Sequence, residues 1–118
     1  MIYALRGAIT VEKDTAEAVD DAVKELMSEI FSANSLSEDE IISVIFSQTK
    51  DIRSRNAAAA CRRGGFCASA PLFCVQEADT EGSLPLAVRV LITVDRNEKN
   101  PVMVYLRGAS ILRPEWKR

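Results

Sequence analysis

The run PLAVRVLITVD, at positions 85–95, constrains the fold more than any other stretch of the sequence. It is rich in β-branched residues, and side chains alternate between the two faces of a strand. One face then carries only apolar residues, whereas the other carries Ala87, Leu91 and Thr93 around a single charge, Arg89. The run predicts a buried strand. Because an unpaired buried charge is costly, Arg89 must lie at a sheet edge open to water or meet an anionic partner.

The rest of the chain predicts one α+β domain over residues 1–118, with roughly five strands in a mixed sheet and helices on one face. From Asp14, the expected N-cap, apolar residues recur with helical spacing as far as Asn34. A short helix is expected over AAAACRR, which ends at a Gly-Gly pair. The first strand should run into a turn near Gly7. The expected strands are residues 2–11, 41–46, 70–79, 85–95 and one beginning at 102.

Composition excludes several classes of function. Histidine is absent, which removes the usual zinc ligand, proton shuttle and partner of a nucleophilic serine or cysteine. The net charge is −2 and the basic residues are scattered, so nucleic acid is not an expected partner. No apolar run is long enough to span a membrane. Three cysteines without C-x-x-C spacing indicate free thiols, and with no signal peptide pattern they predict a cytoplasmic protein.

Four arginines are candidates for one anion site: Arg6 at a strand end, Arg62 on the short helix, Arg89, and Arg113 near the last residues. Guanidinium groups bind carboxylates through a bidentate fork, so such a cluster suits a ligand with more than one carboxylate. Each arginine could instead pair with a surface acid, with Arg89 as the exception.

Three further side chains have an open interpretation. Glu77 follows a strand and could accept a hydrogen bond from a ligand hydroxyl, or it could be an exposed turn acid. Tyr105 could offer its phenol to a carboxylate or could be a core aromatic. Cys74 has no histidine to activate it, so packing is the better interpretation than nucleophilic catalysis.

Three blocks of sequence carry a family resemblance: LRGAITVEKDT near the start, FCVQEAD followed by GSLPLAVRV, and VYLRGASILRP near the end. In this order and spacing, the chain resembles the AroH-class chorismate mutases, which are small monofunctional enzymes. The resemblance implies a trimer that forms a pseudo-barrel, and conversion of chorismate to prephenate without a cofactor or metal. The sites of such enzymes lie between neighbouring subunits.

The resemblance also implies roles for individual residues. Arg6, Arg62, Arg89 and Tyr105 match residues that hold the two carboxylates and the ether oxygen of the substrate. Glu77 and the backbone at Cys74 match the groups that meet its hydroxyl. Arg6, Glu77 and Arg89 are the expected catalytic residues. The tail adds two expected substrate-binding residues, Leu112 and Arg113.

The sequence departs from the family pattern just before Arg62, where Asn56 and Ala57 replace the usual Phe-Pro. Part of an apolar pocket wall is therefore expected to be missing. An alternative function stays open on the same residues: a non-catalytic module that binds a dicarboxylate or an aromatic-pathway metabolite. Another α+β enzyme acting on a different small carboxylate is a second alternative.

Overall fold

Five strands form one mixed sheet in the computed structural model, which describes all 118 residues. The strands are β1 (Ile2–Thr10), β2 (Ile41–Gln48), β3 (Leu72–Gln76), β4 (Ala87–Asp95) and β5 (Val104–Tyr105). Their order across the sheet is β3-β2-β4-β1-β5. β4 is antiparallel to both of its neighbours, whereas the outer pairs β2–β3 and β1–β5 are parallel. The predicted α+β fold with a mixed five-stranded sheet is confirmed.

Two α-helices pack together against one face of this sheet: α1 (Ala16–Asn34) and α2 (Ala57–Arg63). The apolar stripe of α1 and the alternate residues of β4 bury each other in one core, which removes their apolar surface from water. The buried residues of this stripe are Val19, Ala22, Val23, Leu26, Met27 and Ile30. No helix of the structure is both long and apolar enough to cross a membrane.

The other face of the sheet has no α-helix over it; the tail after β5 covers its β1–β5 end, where Ala8 and Tyr105 are buried, and the rest of the face is uncovered. Along β4, Val88, Val90 and Ile92 are buried under the helices, whereas Leu91 on the opposite face is 40% exposed. The side chain of Arg89 is 37% exposed on this same uncovered face. β4 begins at Ala87 rather than at 85, because Leu86 has a positive φ of 50° that breaks the extended backbone.

The prediction of a turn near Gly7 is wrong, since β1 continues to Thr10 and places Arg6 in its middle. Gly7 is needed for packing rather than for a turn. A Cβ atom there would lie 2.8 Å from Ile30 Cδ1 and 3.1 Å from the carbonyl oxygen of Val104. Glycine therefore lets α1 and β5 approach β1 closely.

The prediction of Asp14 as the N-cap of α1 is also wrong. Thr15 occupies that position, and its hydroxyl accepts a hydrogen bond from the Ala18 N–H. The Asp14 carboxylate instead accepts hydrogen bonds from the Ser54 hydroxyl at 2.7 Å, the Ser54 N–H at 2.9 Å and the Arg53 N–H at 3.0 Å. These donors lower the pKa of Asp14 below its ordinary value of 3.8. Asp14 thus ties the loop after β2 to the start of α1.

Asp14→Asn should destabilise the protein in a pH-dependent manner. A carboxyl whose pKa is lower in the folded state stabilises that state above the unfolded value, and this contribution is lost as the pH falls through the folded value. The loss of unfolding free energy caused by Asp14→Asn, measured in urea, should be full at neutral pH and shrink below pH 3.8. Glu12→Gln, at an exposed side chain without a partner, is the control. A loss for Asp14→Asn that is equal at all pH values would contradict this role.

The last strand begins at Val104 rather than at 102. β5 has two residues, after which Arg107 takes a positive φ of 52° and two 3₁₀ turns follow, at Arg107–Ile111 and Pro114–Trp116. The tail folds back, and the Arg118 N–H donates to the carbonyl oxygen of Tyr105 at 3.2 Å. This return places the ring of Trp116 over β5.

Candidate active site

Three of the candidate side chains converge on the uncovered face of the sheet. Ala8 of β1 pairs with Arg89 of β4 on one side and with Tyr105 of β5 on the other. Arg6 is the next residue of β1 on that face, because side chains alternate along a strand. Arg6, Arg89 and Tyr105 consequently line one cavity of about 170 Å³, together with Ile45, Ser47 and Leu91.

Arg6 and Tyr105 are joined directly at one end of this cavity. A terminal nitrogen of Arg6 donates to the Tyr105 hydroxyl at 3.2 Å. Tyr105 is 1% exposed, and its ring packs against Trp116 with the centroids 5.6 Å apart. Because the phenol oxygen accepts from Arg6, its own proton is free to be donated to a ligand oxygen. The pair therefore offers a fixed cation and a fixed hydroxyl donor.

Arg89 and Glu77 form an ion pair at the other end. Arg89 Nε lies 3.2 Å from Glu77 Oε1, and the Ser47 hydroxyl donates to the same oxygen at 2.7 Å. The two terminal nitrogens of Arg89 and the second oxygen of Glu77 have no partner within the chain. Glu77 is thus the anion that meets the charge on β4. Arg89 still presents unpaired donors to the cavity.

Cys74 lies on the edge strand β3 and faces away from the cavity. It pairs in register with Phe46, which is buried under the helices, and its thiol contacts Gln48 Oε1 at 3.2 Å. The Val44 N–H donates to the carbonyl oxygen of Pro71, and the Glu77 N–H donates to the carbonyl oxygen of Gln48. Odd-numbered residues of β3 therefore bond to β2, and Cys74 directs its backbone groups to the open edge.

Arg62 does not line this cavity within one chain. Its guanidinium donates at 3.2 Å to the carbonyl oxygens of Ala68 and Ala70, in the segment before β3. Nearby, Asn56 caps α2, since its side-chain oxygen accepts from the N–H groups of Ala58 and Ala59. The residue that replaces the family's phenylalanine is thus occupied in starting the helix that carries Arg62.

The tail residues lie close to the Arg6 end of the cavity. Arg113 stacks on Trp116 with its guanidinium 3.7 Å from the ring centroid, and Arg6 approaches the same ring at 5.3 Å. Arg113 also pairs with Glu115 at 2.7 Å. Leu112 packs against the small cluster that contains Tyr105. The structure therefore brings the tail to Arg6 and Tyr105 but leaves Arg62 and Cys74 apart from them.

The cysteines are free thiols, as the sequence predicts. Cys61 and Cys67 are both fully buried in the main core. A hydrogen bond shared with Cys61, together with burial, raises the pKa of the Cys67 thiol. Cys67 therefore stays protonated at neutral pH and has the character of a packing residue.

Two residues of this region escape sequence reasoning: Ser47, which binds Glu77, and Trp116, which contacts Arg6, Tyr105 and Arg113. Side chains alternate along β2, so Ser47 lies on the same face as Ile45. This alternation was the signal that could have indicated the face on which Ser47 lies. Nothing in the local sequence indicates that β2 lies next to β4. Together, fold and site define an α+β protein with a small cationic cavity on a sheet face, which suits a ligand with several negative groups.

Comparison with known proteins identifies the family. The family model for chorismate mutase type I matches residues 2–116. The chain is 41% identical to chorismate mutase AroH of Thermus thermophilus, over 98% of this chain and 96% of that one. It is 32% identical to chorismate mutase AroH of Bacillus subtilis, over 98% and 92% of the two chains. This chain belongs to the chorismate mutase type I family.

A solved structure agrees with this assignment. The chorismate mutase from Clostridium thermocellum superposes with a TM-score of 0.83 at 35% sequence identity. The match covers 92% of this chain and 98% of that one. The similarity therefore extends over nearly the whole chain.

Proposed function

We propose that this chain rearranges chorismate to prephenate at the cavity formed by Arg6, Arg89 and Tyr105, with Glu77 beside it. By family the chain is a chorismate mutase, an isomerase whose substrate is chorismate and whose product is prephenate. The observation that carries the site is the convergence of two arginines and a tyrosine from three strands on the face that no α-helix covers. The alternative of a non-catalytic binding module is not favoured.

The reaction needs no group that the sequence lacks. In the rearrangement one carbon–oxygen bond breaks while one carbon–carbon bond forms within the same molecule, so no proton moves and no nucleophile attacks. The enzyme has to hold the compact conformer in which the reacting carbons are close, and to stabilise the negative charge that grows on the ether oxygen. Fixed cations and hydrogen-bond donors can perform both tasks, which suits a chain without histidine.

The geometry supports a role for each group. The unpaired terminal nitrogens of Arg89 face the cavity and stabilise the ether oxygen as its charge grows. Arg6 and the Tyr105 hydroxyl, already joined at 3.2 Å, hold a carboxylate of the substrate. The free oxygen of Glu77 accepts a hydrogen bond from the substrate hydroxyl. These interactions fix the reacting conformer.

A complete site requires more than one copy of the chain. Arg62 and the backbone of Cys74 do not reach the cavity within one chain, although the family resemblance gives both a place beside the substrate. The uncovered face and the open edge strand also expose apolar side chains: Ile45, Leu91, Phe73 and Val75. Such a surface is typical of a protein interface. We infer a homotrimer in which one chain supplies Arg62 and Cys74 to the cavity of the next.

Cys74→Ser should retain most of the activity. The thiol faces the helices and contacts Gln48, whereas the backbone groups of Cys74 point to the open edge and do not depend on the side chain. Steady-state kinetics of this variant on chorismate provides the measurement. Complete inactivation, in a variant that still folds and assembles, would restore the interpretation of Cys74 as a nucleophile.

The test of function is the loss of chorismate absorbance and the appearance of prephenate when the purified protein is added. Conversion that depends on protein concentration supports the mutase activity. Calorimetry on the same sample separates the alternative, because a binding module would take up chorismate and leave it unchanged. A broad panel of small carboxylates would reveal another substrate.

The cytoplasmic location stays a prediction, which cell fractionation can test.

A further inference from the structure

We propose that Ser47 is a positioning residue for the rearrangement: its hydroxyl holds the Glu77 carboxylate in the one orientation that leaves Arg89 open to the substrate. The inference rests on the proposed function of the cavity. Ser47 lies on β2, pairs in register with Arg89 of β4, and lines the same cavity. Its role is exerted through Glu77, to which its hydroxyl donates.

The hydrogen bonds around Glu77 are asymmetric. Oε1 accepts from the Ser47 hydroxyl at 2.7 Å and lies 3.2 Å from Arg89 Nε, whereas Oε2 has no partner. The Nε atom of Arg89 is buried, and its contact with Glu77 lacks hydrogen-bonding geometry. The Ser47 hydroxyl therefore donates the one well-formed hydrogen bond that the Glu77 carboxylate accepts. It keeps Oε1 beside Nε and leaves Oε2 without a hydrogen-bond partner, next to the cavity that Arg89 lines.

Without the Ser47 hydroxyl, the carboxylate is free to rotate about its terminal bond. The preferred arrangement of a carboxylate beside a guanidinium is a bidentate fork with two parallel N–H···O bonds. Such a fork would pair a terminal nitrogen of Arg89 with Oε2 of Glu77. That terminal nitrogen of Arg89 would then no longer be free to stabilise the ether oxygen. Oε2 of Glu77 would no longer be free to accept a hydrogen bond from the substrate hydroxyl.

The backbone gives Glu77 little other support on this side. Its N–H donates to the Gln48 carbonyl at 2.8 Å, which fixes the Cα position next to β2. The residues that follow leave the sheet in a loop that continues to β4, and this loop is tied to the segment after β2 by the exposed ion pair of Lys50 with Asp79 and by a hydrogen bond from the Leu86 N–H to Asp51. The orientation of the carboxylate thus depends on Ser47.

Kinetics of three variants tests the proposal. Ser47→Ala should lower kcat by about 10-fold, the effect of losing a hydrogen bond to a charged group, and should change KM less. Ser47→Thr keeps the hydroxyl and should restore most of kcat. Ser43→Ala is the matched control, because Ser43 lies on the same face of β2 and its side chain makes no hydrogen bond. This control should keep the kcat and KM of the wild type.

An NMR measurement tests the same idea without turnover. The terminal N–H signals of Arg89 should be averaged by rotation in the wild type, and should become separate and protected in Ser47→Ala, where Glu77 forms the fork. Ser47→Thr and Ser43→Ala should resemble the wild type. A merely structural role of Ser47 would not protect these protons.

The outcomes separate the two proposals. If the wild type converts chorismate but Ser47→Ala matches Ser43→Ala in kcat and KM, the positioning role is overturned and the mutase function stands. If the wild type does not convert chorismate, the proposed function is overturned. The positioning role in that reaction is then overturned with it. Unchanged terminal N–H signals of Arg89 in Ser47→Ala would overturn the positioning role in either case.

Discussion

Replacing Arg89 with alanine should lower the turnover number for chorismate by about 100-fold or more, as loss of a single oxyanion donor does in other enzymes. The terminal nitrogens of Arg89 have no partner in the chain and face the cavity, so the charge acts where the ether oxygen becomes negative. The neighbouring apolar walls, Ile45 and Leu91, strengthen this interaction, because a charge acts more strongly where water is scarce. Steady-state kinetics gives the measurement.

Arg107→Ala is the matched control for this experiment. The Arg107 side chain is 36% exposed and forms an ion pair with Glu25, so the variant removes an equally exposed arginine that lies outside the cavity. It should keep most of the turnover. Citrulline, a neutral isostere of arginine, separates charge from shape at position 89. Full turnover with citrulline at this position would refute the electrostatic role.

Leu91→Asp should convert the proposed trimer to monomers. Leu91 is 40% exposed at the centre of the uncovered face, next to Ile45, which is 43% exposed. An unpaired carboxylate in an interface that buries this face would be costly, whereas the monomer would leave it in water. Light scattering after gel filtration measures the mass directly. Activity should fall with the trimer, because each site would lose the residues that the next chain supplies.

Molecular mass decides this prediction, since Leu91 also borders the cavity and could affect turnover on its own. Ser28→Asp, at an exposed position of α1 on the other side of the molecule, is the control and should leave the mass unchanged. A trimeric Leu91→Asp variant would show that this face is not the interface. A monomeric wild type with full activity would overturn the shared site as well.

The sequence predicts the elements of this fold well, because their signals are local. Alternation identified β4, and helical spacing identified α1 as far as Asn34. Two local predictions failed where a distant segment competes for the residue. Asp14 binds the loop at Arg53 and Ser54 rather than α1, and Gly7 serves the approach of Ile30 rather than a turn.

The site was predicted in part. The sequence contains the residue types that bind a dianion. The family resemblance indicated which positions of the chain they occupy. The anionic partner of Arg89 could not be derived, because Glu77 and Arg89 meet through β2, which separates β3 from β4 in the sheet. The same holds for Trp116, which reaches Arg6 only because the tail folds back over β5.

The sequence by itself determined that the chain forms an α+β domain of the chorismate mutase type. It also determined that the candidate functional residues are mainly arginines, because the chain has no histidine. Only the tertiary structure decided which of those side chains share a cavity. Periodicity fixes which face of its own strand a residue occupies, whereas strand order and register depend on packing between segments far apart in the chain. Ser47 shows the difference, since its role exists only because β2 pairs with β4 in the register that sets it opposite Arg89.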